Sequence, residues 1–205
     1  MEEMKQHINS GFQLLQPGVR IVNDWCDFPI PMNMEVGENT VIDSSSCFKK
    51  FFSKKQPGLR LGSNITLQSP ALATEEDGYI EIGDYSYISG AAIIASTKIV
   101  IGKYVFIAGG VTIVDSDFHP QDPGARLRDT VAISPIGNKS FRPAFDIAPV
   151  IIEDDVWIGY NATILKGVTI GRGSVIQPGA VVIRSIPAGS IVSGNPAQVE
   201  QIEYA

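Results

Sequence analysis

"VWIGYNATILKGVTIGRGSVIQPGAVV", Val156 to Val182, decides the fold. Ile158, Ile164, Ile170, Ile176 and Val182 fall on every sixth residue, and Ile152 begins the series just upstream. Val156, Ala162, Val168, Ser174 and Ala180 each stand two residues ahead of one of them. A spacing of two puts both side chains on the same face of a short strand. Asn161, Gly167, Gly173 and Gly179 recur on the same interval, and Asn and Gly are the residues that accept a positive φ at a tight corner. Each hexad therefore reads as a strand plus a corner. A helix would need spacings of three and four, and interior glycines and Pro178 would damage it. A flat antiparallel sheet would not repeat one corner every six residues. The economical solution is a solenoid in which each hexad forms one wall and stacked coils align the aliphatics into ladders.

The same count runs upstream. Ile82, Ile88 and Ile94 are six apart, with Ser86 and Ala92 two before the latter two. After one extra residue, Ile101, Ile107 and Ile113 resume with Val105 and Val111. "VGENTVID" and "LGSNITL" are further hexads, separated by "SSSCFKKFFSKKQPG". The pattern predicts a repeat domain over 36–197, an N-terminal cap over 1–35, a loop insertion over 121–147 and a tail over 198–205. The segment 47–58 mixes Phe48, Phe51 and Phe52 with Lys49, Lys50, Lys54 and Lys55. It reads as a surface loop with its phenylalanines tucked into a subunit interface, in preference to a patch for a membrane or a polyanion.

Composition narrows the function. The chain has 205 residues, 44% hydrophobic and only 8% aromatic, with 20 glycines and 13 prolines. That suits one domain with an aliphatic core and many turns. A net charge of −6 makes nucleic acid a poor partner. Cys26 and Cys47 are too few for a disulfide framework and read as free thiols. The N-terminus shows no secretory signal, and no stretch reaches the roughly 18 apolar residues of a membrane span. A cytoplasmic protein with no integral membrane span is expected.

The repeat stops keeping time in "VTIVDSDFHPQD", Val111 to Asp122. Counting six from Ile113 lands on His119, which would make it an inward core residue. The preceding strand slots, Asp115 and Asp117, are polar, and a solenoid interior accepts two carboxylates and an imidazole only with partners. Pro120 follows and removes a wall donor. The chain is therefore leaving the coil, with His119 presented at the exit. The following stretch, "QDPGARLRDTVAISPIGNKSFRPAFDI", is rich in turn formers and is read as an irregular loop that walls a binding site and reaches a neighbouring subunit.

Val156–Val182, followed by "IPAGSIVSGNPAQVEQI", resembles the hexapeptide-repeat acyltransferases, in particular the maltose, galactoside and nodulation-type O-acetyltransferases and the polysaccharide acetyltransferases. "DSDFHP" and the "GNPA" turn carry the likeness further. The resemblance implies an all-β, left-handed parallel β-helix with three hexads per coil, a homotrimer, acetyl-coenzyme A as acyl donor, and sites between subunits. It implies that His119 is the catalytic general base for attack of a sugar or glycan hydroxyl on the thioester. It places Trp157, an outward residue, beside the active site, to shape the acceptor pocket or the pantetheine channel where it does not simply pack an interface; Asp115 and Asp117 are candidates for orienting the His119 ring or holding acceptor hydroxyls, and Ser89 is a further acceptor-binding candidate. Ser89 stands where the sugar acetyltransferases carry an asparagine, which weakens a transfer of their specificity. The resemblance assigns Gly159, Tyr160, Gly179 and Ser193 to the pantetheine groove; Arg184, and more weakly Lys166, sit at turns where a basic side chain could meet a phosphate. The tail departs from the family by offering Gln198 and Gln201 beside Glu200 and Glu203 instead of basic residues.

Three rivals remain at this point. N-acetylation of an amino or nucleotide sugar would use the same repeat and histidine. A metal hydratase on the same coil would need about three imidazole ligands for zinc, and His7 and His119 are the only histidines, so no metal is expected. A non-catalytic trimeric scaffold would not need His119 and Trp157.

Overall fold

The computed structural model describes residues 11–202. Three sheets form the walls of a triangular prism. Wall A stacks Val41–Ile42, Thr66–Gln68, Tyr87–Ser89, Phe106–Ile107, Trp157–Ile158, Val175–Ile176 and Ser190–Gly194 in parallel. Wall B stacks Met34–Val36, Leu59–Leu61, Tyr79–Ile82, Lys98–Ile101, Val150–Ile152 and Thr169–Ile170. Wall C stacks Ala71–Thr74, Ala92–Ala95, Thr112–Val114, Thr163–Ile164 and Val181–Val182. The chain visits them in the order B, A, C, so the corner joining C to B lies opposite wall A.

Parallel register explains why the aliphatic interval is so strict. Ile42, Leu67, Ile88, Ile107, Ile158, Ile176 and Val192 pair rung by rung along wall A, and all are fully buried. Burying each such side chain contributes on the order of 1.5–3 kcal/mol before entropy is counted. The edges of the stack are covered too. Gln13–Leu14 pairs antiparallel with Val41–Ile42 at one end, and Ala197–Ile202 pairs antiparallel with Ser190–Gly194 at the other. Leu15, Ile21 and Ile30 bury themselves against the first coil.

One stretch of the sequence count is out of register. Ile94 and Ala92 are half-exposed, whereas Ile93 and Ala91 point inward. Gly90, at φ +52°, closes its corner one residue early, so Ile93 aligns with Leu72 and Ile113 on wall C. The corners also depart from Asn and Gly alone. Tyr85 and Tyr104 take positive φ between walls B and A, a costly conformation for a bulky residue. Their rings stack at 5.5 Å, which offsets part of that cost.

The basic-aromatic segment is also corrected. Ser45–Phe48 is a short 3-10 turn that buries Cys47 and Phe48, and Phe51 bridges to Thr74 of wall C. Phe48 thus fills this chain's own core and is not held for a neighbour. Burial pushes the Cys47 thiol well above its ordinary range. Only Phe52 of the three phenylalanines is largely exposed. No helix among the described residues is long and apolar enough to cross a membrane.

Candidate functional site

The coil breaks where the sequence count does, at the corner between walls C and B. Asp115 is fully buried, and its carboxylate accepts the backbone N–H groups of Ser96, Thr97 and Lys98 at 2.6, 2.7 and 2.7 Å. Three such charge-assisted bonds explain how the interior tolerates it. They also remove it from the acceptor site: Asp115 ties the corner of the preceding coil and presents nothing to solvent. The insertion is stapled at its base, with the Asp117 N–H donating to the Asp146 carbonyl at 3.0 Å and the Ala148 N–H to the Asp115 carbonyl at 2.8 Å.

Phe118 then takes φ +60°, a left-handed conformation that costs on the order of 1–3 kcal/mol for such a residue. The turn, closed by a 2.7 Å bond from the His119 N–H to the Asp117 carbonyl, aims His119 out of the coil. Its side chain is 49% exposed, so it is not the inward rung that counting alone would make it.

The insertion is not an irregular loop. Pro123–Ile133 forms a helix, α1. Asp122 caps it by accepting the Ala125 N–H at 2.7 Å, Pro123 occupies its first turn, and Pro135 follows its end. Aspartate before proline is a helix-start signal, and it outweighs the surrounding turn formers. The helix buries Asp129 and Ala132. The Asp129 carboxylate has no solvent exposure and receives two partners: His119 Nδ1 at 2.6 Å and Arg142 Nε at 2.8 Å. The Arg142 guanidinium, and then the His119 contact, hold the Asp129 carboxyl below the usual carboxylate range against the opposing effect of burial. With a proton on Nδ1 directed at Asp129, Nε2 of a neutral ring is left as the acceptor on the exposed side.

Asp117 stands beside this pair. It accepts Lys166 Nζ at 2.6 Å and Gln121 Nε2 at 3.1 Å, and the Lys166 contact holds its carboxyl below the ordinary range. Lys166 is therefore spoken for by a carboxylate and is a weaker candidate for a phosphate.

The remaining sequence-derived candidates lie elsewhere. Trp157 and Ser89 are on wall A, across the prism from His119. Trp157 is in register with Phe106, and Phe106 with Tyr87, and the Tyr87 and Phe106 rings stack at 5.1 Å. This outward aromatic stack is half exposed at Phe106 and Trp157. Gly159, Tyr160 and Gly179 follow wall-A strands, on the corner leading to wall C. A methyl group at Gly179 would meet nothing within 4 Å, whereas one at Gly159 would meet the Pro178 nitrogen at 2.8 Å and Tyr160 lies over Gly109, so the corner is open at Gly179 and closely packed at Gly159. Ser193, on the last wall-A strand, contacts the Glu200 carboxylate. Arg184 follows Val181–Val182, which puts it on the C-to-B corner with His119 rather than with the other four. Neither Asp129 nor Arg142 is among the site residues expected from the sequence. Among the described residues no group of three or more His, Cys, Asp or Glu side chains could hold a metal ion, and His7 lies outside them.

Comparison with known proteins places the coil. The family described as bacterial transferase hexapeptide (six repeats) matches residues 149–184. A 2,3,4,5-tetrahydropyridine-2,6-dicarboxylate N-acetyltransferase of Staphylococcus aureus (strain JH9) is 56% identical over 52 residues, 25% of this chain and 22% of that protein. The chain thus spans about a fifth of the length of that curated relative. A hexapeptide-repeat-containing acetyltransferase of Vibrio cholerae O1 biovar eltor, solved with acetyl-coenzyme A, superposes with a TM-score of 0.58 at 28% identity, covering 77% of this chain and 75% of that one. A variant of AntD, an N-acyltransferase from Bacillus cereus solved with dTDP and coenzyme A, gives a TM-score of 0.64 at 19% identity over 83% and 84% of the two chains, a likeness of fold alone. With the six-residue interval and the three parallel walls, these matches show that the chain folds as a left-handed parallel β-helix, with residues 149–184 similar to the hexapeptide transferase family.

Proposed function

We propose that the protein is an acetyl-coenzyme A-dependent O-acyltransferase acting on a hydroxyl of a sugar or polysaccharide precursor, with His119 as general base. The single observation that carries this reading is the His119–Asp129 pair: a half-exposed imidazole whose Nδ1 is 2.6 Å from a fully buried carboxylate. A sugar hydroxyl is a weak nucleophile at neutral pH, and a positioned neutral imidazole can take its proton as it attacks. Asp129 fixes the tautomer and the ring plane and stabilises the imidazolium that forms. The donor supplies the thioester acyl carbon. The acceptor oxygen bonds to that carbon, its proton passes to Nε2, the carbon–sulfur bond breaks, and the imidazolium returns the proton to the departing thiolate.

The separation of candidates around the prism supports a homotrimer with shared sites. His119, Asp117 and Arg184 line one corner, whereas Trp157, Ser89, Tyr160 and Gly179 belong to wall A and the corner after it. A single chain holds these groups on opposite sides, and packing of one copy's C-to-B corner against its neighbour's wall A would join them. The open corner at Gly179 suits a slender pantetheine arm, and Arg184 of the adjoining copy offers charge for a phosphate. The tail supplies none, so affinity for the nucleotide end rests on that arginine. Two free cysteines favour a reducing compartment, the cytoplasm.

The S. aureus relative is named an N-acetyltransferase, which supports N-acylation as a second reading, with the amine of an amino or nucleotide sugar as the acceptor we infer for it. Release of free thiol from acetyl-coenzyme A, measured across paired hydroxyl and amino sugars, tests both. Turnover confined to hydroxyl acceptors is expected. Turnover confined to amines would replace the first reading with the second, and no acceptor-dependent release would leave a scaffold.

A further inference from the structure

Arg142 joins three separate pieces of the site. Its Nε donates to Asp129 Oδ1 at 2.8 Å, one terminal nitrogen donates to the Phe118 carbonyl at 2.9 Å, and the other contacts Glu75 Oε1 at 3.3 Å. The guanidinium packs over the Phe145 ring at 5.0 Å, and its side chain is only 17% exposed. It therefore binds helix α1, the strained turn immediately before His119, and the corner after Ala71–Thr74 through one planar fork. A lysine could not reproduce that fork.

We propose that Arg142 is a positioning residue for His119, acting through Asp129 and the Phe118 carbonyl, and that its permanent charge keeps the buried Asp129 from locking the imidazole in its protonated form. This rests on His119 being the base. A buried carboxylate needs partners, and where Asp115 has three backbone N–H groups, Asp129 has the side chains of His119 and Arg142. If His119 were its only partner, the ion pair would favour imidazolium, which has no lone pair to accept a proton. Arg142 satisfies the charge independently of pH and leaves His119 free to be neutral. The other charged and titratable groups around the ring are Asp117, Lys166, Glu75 and Arg126, the last donating to the Pro120 and Gln121 carbonyls at 3.3 and 2.8 Å. Asp117 is matched by Lys166 at 2.6 Å, and Glu75 faces Arg142 itself. Loss of Arg142 therefore leaves two carboxylates without its guanidinium, the exposed Glu75 and the buried Asp129, and of the two only Asp129 touches the ring. The fork also holds the Phe118 turn, so its loss loosens the ring's placement as well as its charge.

The test uses the full chain with Arg142→Gln, Arg142→Lys and Asp129→Asn/Arg142→Gln. Ring proton resonances of His119, distinguished from the other histidine by a His7→Gln substitution, are followed against pH in the resting protein, alongside the pH profile of kcat/KM. In Arg142→Gln the imidazole stays protonated to higher pH than in the parent. The acidic limb of kcat/KM moves with it, giving a loss on the order of tenfold at pH 7 that shrinks toward pH 9. The double variant loses the displacement. Arg142→Lys keeps the charge, holds the parent's limb and lowers kcat severalfold with KM little changed, and it decides the case alone if the glutamine variant does not fold. A folded Arg142→Gln that titrates like the parent, or an Arg142→Lys identical to the parent in kcat, overturns the proposal. The resonance titration needs no turnover, so it still judges Arg142 if His119 proves not to be the base.

Discussion

His119 Nδ1 and Asp129 Oδ2 are 2.6 Å apart, although one residue belongs to the broken coil and the other to a helix that interrupts it. The repeat contributes a rigid corner, the insertion contributes the carboxylate, and the histidine at their junction is held by both. That junction leads to the first expectation. In Asp129→Asn the amide can present either an oxygen or a nitrogen to the ring, so the tautomer is no longer specified. kcat falls by roughly 10²-fold or more with a small change in KM, read from initial rates with the fold checked by circular dichroism.

The acid limit of stability follows from the same pairs. Arg142 and His119 hold the Asp129 carboxyl below its ordinary range, and Lys166 does so for Asp117. A carboxyl depressed in the folded state binds fewer protons there than in the unfolded chain. Its contribution is complete above the ordinary aspartate value of about 3.9 and is lost as pH falls through the depressed value. Melting temperatures followed from pH 5 down to pH 2 are expected to fall most below about pH 4, and Asp129→Asn is expected to start lower and fall less steeply.

Asp115 separates a structural carboxylate from a substrate ligand. Asp115→Asn keeps the shape but loses charge-assisted bonds to three backbone amides. It costs about 2 kcal/mol or more of stability in denaturant melts, while the KM for the acceptor in the folded fraction stays within error of the parent.

Register in the third hexad is tested by neighbours. Ile93→Ala empties a fully buried rung and costs about 2–5 kcal/mol. Ile94→Ala, on a half-exposed position, costs under about 1 kcal/mol. Equal costs in urea titrations would restore the count that put Ile94 inside.

The sequence shows these parts unequally, for physical reasons. A parallel coil repeats its environment every turn, so Ile158, Ile164 and Ile170 announce their burial by interval alone. The count failed at Ile94 because a glycine corner can drop one residue without changing the wall. His119 was visible because an imidazole beside two aspartates contradicts an aliphatic ladder. The role of Asp115 was not, since three backbone donors from the preceding coil leave no mark in the residue string. Asp129 was hidden because its partner comes from outside the repeat. The capping pair Asp122 and Pro123 was the available clue, and read as a helix start it would have placed Asp129 on a helix docked beside the histidine.

Shared sites can be examined by mixing. If the corner carrying His119 meets a neighbour's wall A, trimers reassembled from His119→Ala and Trp157→Ala chains contain seams with both residues intact. Activity above that of either parent is expected, and a simple average would place the whole site within one chain.

The most direct measurement is acetyl transfer by His119→Ala, with its oligomeric state and melting temperature matched to the parent. A general base held by a buried carboxylate contributes about 10²–10⁴-fold, so a loss of kcat of that size is predicted, with acceptor binding largely retained. A loss under tenfold would contradict the account, because the imidazole at the break in the coil would then not be the group that takes the proton.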